Sequence, residues 1–295
     1  MTAARRIGCS RASATPRCVG RSAWPYACTF ASAIGAASCD AILRFCPTPY
    51  DTWTAETSAT IVRLALIIPM RNRAQTIEES LLALADVRRR GHHLIVVDVG
   101  SSDNGAARAR ALADRVVVAS QNLPSLLNAA TRVPEAEQAD ALVFVPECVR
   151  LPEQADRTIV RALSNSPSPW GRFDVSYRDP RGASSRPLDL AAALANWCSR
   201  ATGICTWEQA IFVSRSAFFA LEGFAVATEC GDVEFSRRAR ALGAPIVVRE
   251  RALVNTSQVD SAAVLRTIIR REAQRLAVGL GFAPGVGGSQ TPGPF

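Results

Sequence analysis

Carboxylates are the side chains best placed to do chemistry in this sequence. Asp98 ends the apolar run Leu94–Val97, and Asp103 follows in the Gly/Ser/Asp loop Val99–Gly105. Glu147 comes two residues after the apolar run Ala141–Val145, and Asp232 opens the segment Asp232–Arg238. Acids so placed can accept hydrogen bonds from a base or ribose, or take a proton from a hydroxyl. The composition removes much else. All 34 basic residues are arginine, and the only two histidines, His92 and His93, are adjacent. Without a lysine amine the chain is no Walker-A ATPase, protein kinase or Schiff-base enzyme. Neighbouring strand residues point opposite ways, which argues against a histidine triad or a multi-histidine zinc centre. The histidine pair is therefore read as a strand entrance with no chemical role.

With 295 residues, 48% of them hydrophobic, the chain can bury a core in one large domain or two small ones. Its net charge of +8 is spread along the chain rather than gathered in an arginine stripe with interleaved aromatics. Nucleic acid is therefore not an expected partner, whereas an anionic ligand or an acidic membrane surface fits. Five of the nine cysteines fall within the first 46 residues, in a stretch with neither helical nor strand periodicity. Residues 1–58 are expected to be a disordered or dispensable extension, with a secretory signal as the other reading.

The pattern changes at Ile61. Leu64–Ile68 is a continuous apolar run, as expected of a strand covered on both faces. Thr76–Arg88 repeats Ile77, Leu81, Leu84 and Val87 at helical spacing. Strands follow at Leu94–Val97, Val116–Ala119 and Ala141–Val145, with a helix over Ala106–Ala113. This alternation predicts an α/β fold, a doubly wound, mostly parallel sheet flanked by helices. Ligands of such sheets bind at the carboxyl ends of strands, which places Asn72, Asp98, Asp103 and Glu147 near one rim. Asn72 also reads as a turn residue, and Asp103 as a helix cap. Further on, helices are expected over 153–163, 188–200, 233–242 and 262–280. Strands are expected over 170–177, 210–213, 245–248 and 252–255.

In order and spacing, five segments resemble the family 2 nucleotide-sugar glycosyltransferases of the GT-A fold. The closest resemblance is to the bacterial transferase 2 group associated with radical SAM and selenodomain proteins. The family opening I-I-P-x-x-N-E corresponds to Ile67-Ile-Pro-Met-Arg-Asn-Arg73, and V-V-D-G-G-S-x-D-G to Val96-Val-Asp-Val-Gly-Ser-Ser-Asp-Asn-Gly105. G-R-F-D-V stands at Gly171–Val175, T-G-I-x-T-x-x-Q-A-I-F-V at Thr202–Val213, and D-V-E-F-S-R-R at Asp232–Arg238. The resemblance implies a GT-A-like domain over 59–282, followed by a disordered tail over 283–295. It also implies inverting sugar transfer from a nucleotide-diphosphate sugar to an acceptor.

By the same resemblance Asp232 is the general base, and Asn72, Asp98 and Asp103 bind the nucleotide. Glu208, Gln209 and Arg172 line an acceptor or donor pocket. Four segments depart from the family pattern. The aspartate that holds Mg²⁺ or Mn²⁺ after the fourth strand falls on Cys148, a poor ligand for a hard cation, leaving Glu147 as the candidate metal ligand. The glutamate before Asp232 is Gly231, the usual G-D-Q is Trp207-Glu208-Gln209, and an arginine-rich helix start is Leu123-Pro-Ser-Leu-Leu-Asn128. A second reading follows from these changes: a catalytically impaired module that binds a nucleotide, glycan or protein. Cytoplasmic location is expected, with peripheral membrane contact through the basic amphipathic segment 262–280.

Overall fold

The computed structural model describes residues 62–119, 122–226, 231–256 and 260–279. The expected limits at 58/59 and 282/283 lie outside the described residues. Eight strands form one sheet: β1 Leu64–Met70, β2 His93–Asp98, β3 Arg115–Val118, β4 Ala141–Phe144, β5 Val149–Arg150, β6 Trp170–Arg178, β7 Phe212–Ser214 and β8 Ile246–Asn255. Their order is β3-β2-β1-β4-β7-β6-β8-β5. The first four strands in that order are mutually parallel, and β6 runs parallel to β8; β7 and β5 are antiparallel to their neighbours.

Every residue of β1 is buried. Leu64, Leu66 and Ile68 join one apolar cluster, whereas Ala65 and Ile67 join the other. This two-residue period sends alternate side chains to opposite faces, so helices must cover both. The chain supplies ten among the described residues: α1 Ile77–Leu82, α2 Ala85–Arg89, α3 Gly105–Ala109, α4 Leu123–Ala130, α5 Pro134–Glu137, α6 Ala155–Ser164, α7 Arg186–Thr202, α8 Arg215–Ala220, α9 Gly231–Ala239 and α10 Ser261–Gly279. The GT-A-like α/β arrangement expected from the sequence is the arrangement observed.

Two elements differ from the sequence expectation for local reasons. The helix expected over Thr76–Arg88 breaks between α1 and α2, where the Leu84 N–H bonds the Leu81 carbonyl. Leu81, Leu84 and Val87 are spaced by three, and this tightened turn keeps all three buried. The two short strands expected over 245–248 and 252–255 are one strand, β8. Val248 pairs with Phe173 and Arg251 with Asp174, so Arg249 and Glu250 form a bulge. Glu250 accepts a hydrogen bond from Thr158 of α6 at 3.2 Å.

Part of the apolar face of the segment 262–280 packs inward. Val264 and Ile268 of α10 are buried in the sheet-side core with Leu188 and Ala195 of α7. Ile269 stays exposed, as do Arg266 and Arg270. Val264 and Ile268, two residues of the apolar stripe, pack α10 against α7. Among the described residues no helix is long and apolar enough to cross a membrane.

At the entrance to β2, His92 is a structural tie. Its Nδ1 accepts the Leu64 N–H at 3.2 Å, while Nε2 lies 3.2 Å from Asp156 Oδ2. Acceptance at Nδ1 leaves the proton on Nε2, which donates to Asp156. Asp156 is gripped in turn by Arg90, with Nε to Oδ2 at 2.6 Å and Nη2 to Oδ1 at 2.9 Å. Burial lowers the His92 pKa from its ordinary 6.5, outweighing the opposing pull of Asp156, while Arg90 and His93 push the same way as burial. The unfolded chain therefore binds more protons below about pH 6.5, and stability falls as pH drops through that window. Melting temperature should decrease between about pH 7.5 and about pH 5.5, and His92→Gln should flatten the slope. An equal slope in the variant would remove His92 as its source.

Candidate functional site

The strand order runs β3-β2-β1 and then turns to β4, so the fold's switch point lies between β1 and β4. At that point the carboxyl ends of parallel strands open a crevice. Met70 pairs with Asp98, and the Glu147 N–H reaches the Pro69 carbonyl at 3.4 Å, so the segments after β1, β2 and β4 share one rim.

Asn72, Asp98 and Asp103 are brought together there. Asn72 adopts φ 53°, a left-handed conformation that asparagine tolerates better than most residues. Its N–H donates to Ser101 Oγ at 2.9 Å, and its Oδ1 accepts the Ser102 N–H at 2.9 Å. Asp103 Oδ2 accepts the Ala74 N–H at 2.8 Å, and its Oδ1 accepts the Gly105 N–H at 3.0 Å. Asp103 thus ties the loop after β1 to the start of α3. Asp98 is 2% exposed, and its Oδ1 accepts the Ser101 N–H at 3.0 Å and the Ser101 hydroxyl. A cross-braced pair of loops is a rigid frame for a ligand.

Glu147 sits on the same rim but is already engaged. Its Oε2 lies 3.2 Å from Arg73 Nε, and its Oε1 accepts the Thr76 hydroxyl. The neighbouring Cys148 thiol is pushed up to about 12, first by burial and then by Glu208 and Glu147, against the pull of Arg73. At neutral pH it is an uncharged thiol. Arg73, Thr76, Ser80, Glu147, Cys148 and Arg150 help to line a cleft of about 420 Å³.

A hard divalent cation needs several oxygen ligands, and a thiol must lose its proton to serve as one. Here Glu147 is committed to Arg73 and Thr76, while Asp98 and Asp103 accept backbone N–H groups of their own loops. Among the described residues no group of three or more His, Cys, Asp or Glu side chains is placed to hold a metal. The residues present do not fit Mg²⁺ or Mn²⁺, and Glu147 reads instead as an ion-pair partner.

Glu208, Gln209 and Asp232 converge on a second group. Trp207–Gln209 is a single 3₁₀ turn closed by Ala210 at φ 48°. Gln209 is fully buried and caps this turn, its Oε1 accepting the Thr206 N–H at 3.1 Å. The Asp232 carboxylate, 7% exposed at the start of α9, accepts the Trp207 N–H at 3.2 Å and its neighbour Val233 N–H at 2.9 Å. Glu208 receives two bonds from Arg271 of α10, at 2.9 and 2.6 Å, and one from the Tyr177 hydroxyl at 2.8 Å. Burial works against the Arg271 cation, but Glu208 outweighs it and raises the Arg271 pKa, helped by Tyr177 and Asp232.

Three of the family departures pack on one another here. A Cβ on Gly231 would lie 3.4 Å from Pro124 Cγ and 3.4 Å from Trp207 Cζ2. These are van der Waals distances, so Gly231, Pro124 and Trp207 lie packed side by side.

Arg172 is not part of either group. It is fully buried in β6, where Nη1 pairs with Asp174 and donates to the Phe173 carbonyl at 3.2 Å, and Nη2 reaches the Asn196 carbonyl at 3.5 Å. It ties β6 to α7 rather than lining a pocket, which corrects the expectation for it. Sequence reasoning gave no role to Arg73, Thr76 or Tyr177, and took Arg271 only as part of a basic helix face. The only signal was Arg73, standing where the family motif has glutamate.

The comparisons with known proteins agree with the fold. No protein-family model matches the chain, and no curated protein matches it in sequence. Solved structures do match. The chain is similar to the mannosyltransferase PcManGT from Pyrobaculum calidifontis, in complex with GDP-Man and Mn²⁺. That match has 21% identity and TM-score 0.53 over 79% of this chain and 66% of that one. The chain therefore spans just under two thirds of the mannosyltransferase. It is similar to glucosyl-3-phosphoglycerate synthase from Mycobacterium tuberculosis at 19% identity and TM-score 0.53, over 76% and 82% of the two chains. S. aureus TarS 1-349 in complex with UDP-GlcNAc matches at 14% identity and TM-score 0.52, over 74% and 72%. At these identities the likeness establishes a common fold.

Proposed function

We propose that the chain is a glycosyltransferase that moves a sugar from a nucleotide-diphosphate sugar to an acceptor hydroxyl with inversion. The observation that carries this reading is the braced rim at the switch point, where Asn72, Asp98 and Asp103 converge. Asp98 accepts hydrogen bonds from the base or ribose, and Asn72 and Asp103 hold the loops in shape. The acceptor oxygen attacks the anomeric carbon as the bond to the diphosphate breaks. Asp232 takes the hydroxyl proton, and the nucleoside diphosphate leaves. Glu208 and Gln209 fix the wall of the site beside Asp232. That the solved neighbours carry GDP-Man or UDP-GlcNAc supports this choice of donor class.

The second reading, a binding module without turnover, is favoured by the Cys148 thiol and the committed Glu147. A thermal-shift panel of nucleotide sugars on the full chain tests the proposal. One donor should raise the melting temperature in a concentration-dependent way, because a ligand that binds only the folded state stabilises it. If none does, both readings that involve a nucleotide fail.

A further inference from the structure

At the place where the resemblance expects a metal, the rim carries a guanidinium. Two family acids are changed there. The glutamate closing I-I-P-x-x-N-E is Arg73, and the aspartate after the fourth strand is Cys148. One anion has become a cation and another a neutral thiol. The two positions are also neighbours in space: Arg73 Nε lies 3.2 Å from Glu147, which adjoins Cys148, and all three line the same cleft.

The backbone on either side of Arg73 is fixed by the opposite loop. The Asn72 N–H is held by Ser101, Asn72 Oδ1 by the Ser102 N–H, and the Ala74 N–H by Asp103. Glu147, 8% exposed and bonded by Thr76, holds the head of the side chain. The Arg73 side chain is 29% exposed, so it is accessible to a ligand entering the cleft. A guanidinium carries five N–H donors, so a phosphate can join the partners that already hold it. It stays charged at any working pH and matches the geometry of phosphate oxygens.

We infer that Arg73 binds the diphosphate of the donor in place of a divalent cation, so that this chain takes its nucleotide without metal. The inference rests on the function proposed above and specifies how that site neutralises the leaving group. Glu147 is then a positioning residue for Arg73.

The test is calorimetric titration of ADP, CDP, GDP, UDP and dTDP into the full chain, with EDTA or with Mn²⁺. One diphosphate should bind with an affinity that differs by less than about twofold between the two conditions, and Arg73→Ala should weaken it roughly tenfold or more. Arg73→Lys, which keeps the charge, should recover part of that loss. A folded Arg73→Glu/Cys148→Asp variant, which restores both family acids, should bind more tightly with Mn²⁺ than with EDTA. Wild-type binding that requires Mn²⁺ overturns the inference while leaving the proposed function standing. Unchanged affinity in Arg73→Ala overturns it too, and so does a folded double variant indifferent to Mn²⁺. If no diphosphate binds in either condition, the proposed function falls and the inference with it.

Discussion

Replacing Asp232 by asparagine should lower sugar transfer by about 10²–10⁴-fold, the usual cost of losing a general base. The expectation follows from where the carboxylate sits. It is nearly buried at the start of α9 and accepts the Trp207 N–H, which fixes it beside Glu208. Asparagine keeps an oxygen for that hydrogen bond and nearly the same volume, so the fold is retained. What it loses is the ability to accept the acceptor proton. Nucleotide affinity should change by less than about twofold, because Asp98 and the braced loops lie on other elements. The competing role for Asp232 is electrostatic, an acid opposing the dipole of its own helix, worth about 0.5 kcal/mol. A variant that turns over at the wild-type rate with a slightly lower melting temperature would assign it that role instead.

The second large effect is structural. Arg271 and Glu208 are a two-pronged ion pair between α10 and the 3₁₀ turn, with Glu208 almost wholly buried. Arg271→Leu would take from the buried Glu208 carboxylate the two bonds that Arg271 donates. Breaking such a pair from one side costs about 3 kcal/mol, which for a domain of this size lowers the melting temperature by roughly 6–12 °C. The Arg271 side chain is 27% exposed, so water softens the loss and the lower end is expected. Glu208→Leu with Arg271→Leu should cost less than the single change, since no charge is stranded. Thermal denaturation of the three variants checks this. A double variant less stable than Arg271→Leu would contradict the ion-pair account.

The strand–helix alternation made the sheet legible because β1 and β4, and Leu94–Val97 of β2, are apolar runs buried in the core. Asn72, Asp98 and Asp103 were legible for a related reason: each follows a buried parallel strand, and parallel strands must end on one rim. The ion pairs were not. Glu208 and Arg271 are separated by 63 residues, and no period or motif in α10 marks one arginine among its neighbours. Arg172 misled because it stands in a family motif, while its burial is decided by Asp174 and by the Asn196 carbonyl across the sheet face. Segment β5, two residues long, carries too little pattern to read. The break between α1 and α2 came from a three-residue spacing that a regular helix does not distinguish from its own.

The central claim is that the nucleotide lies against the braced loops after β1 and β2. Its most direct test is photolabelling with an azido analogue of whichever nucleotide sugar stabilises the protein, followed by peptide mass mapping. Label should appear in the peptides that carry Asn72–Ala74 or Val99–Asp103, and unlabelled donor should compete it away. Competable label confined to peptides remote from that rim would contradict the account.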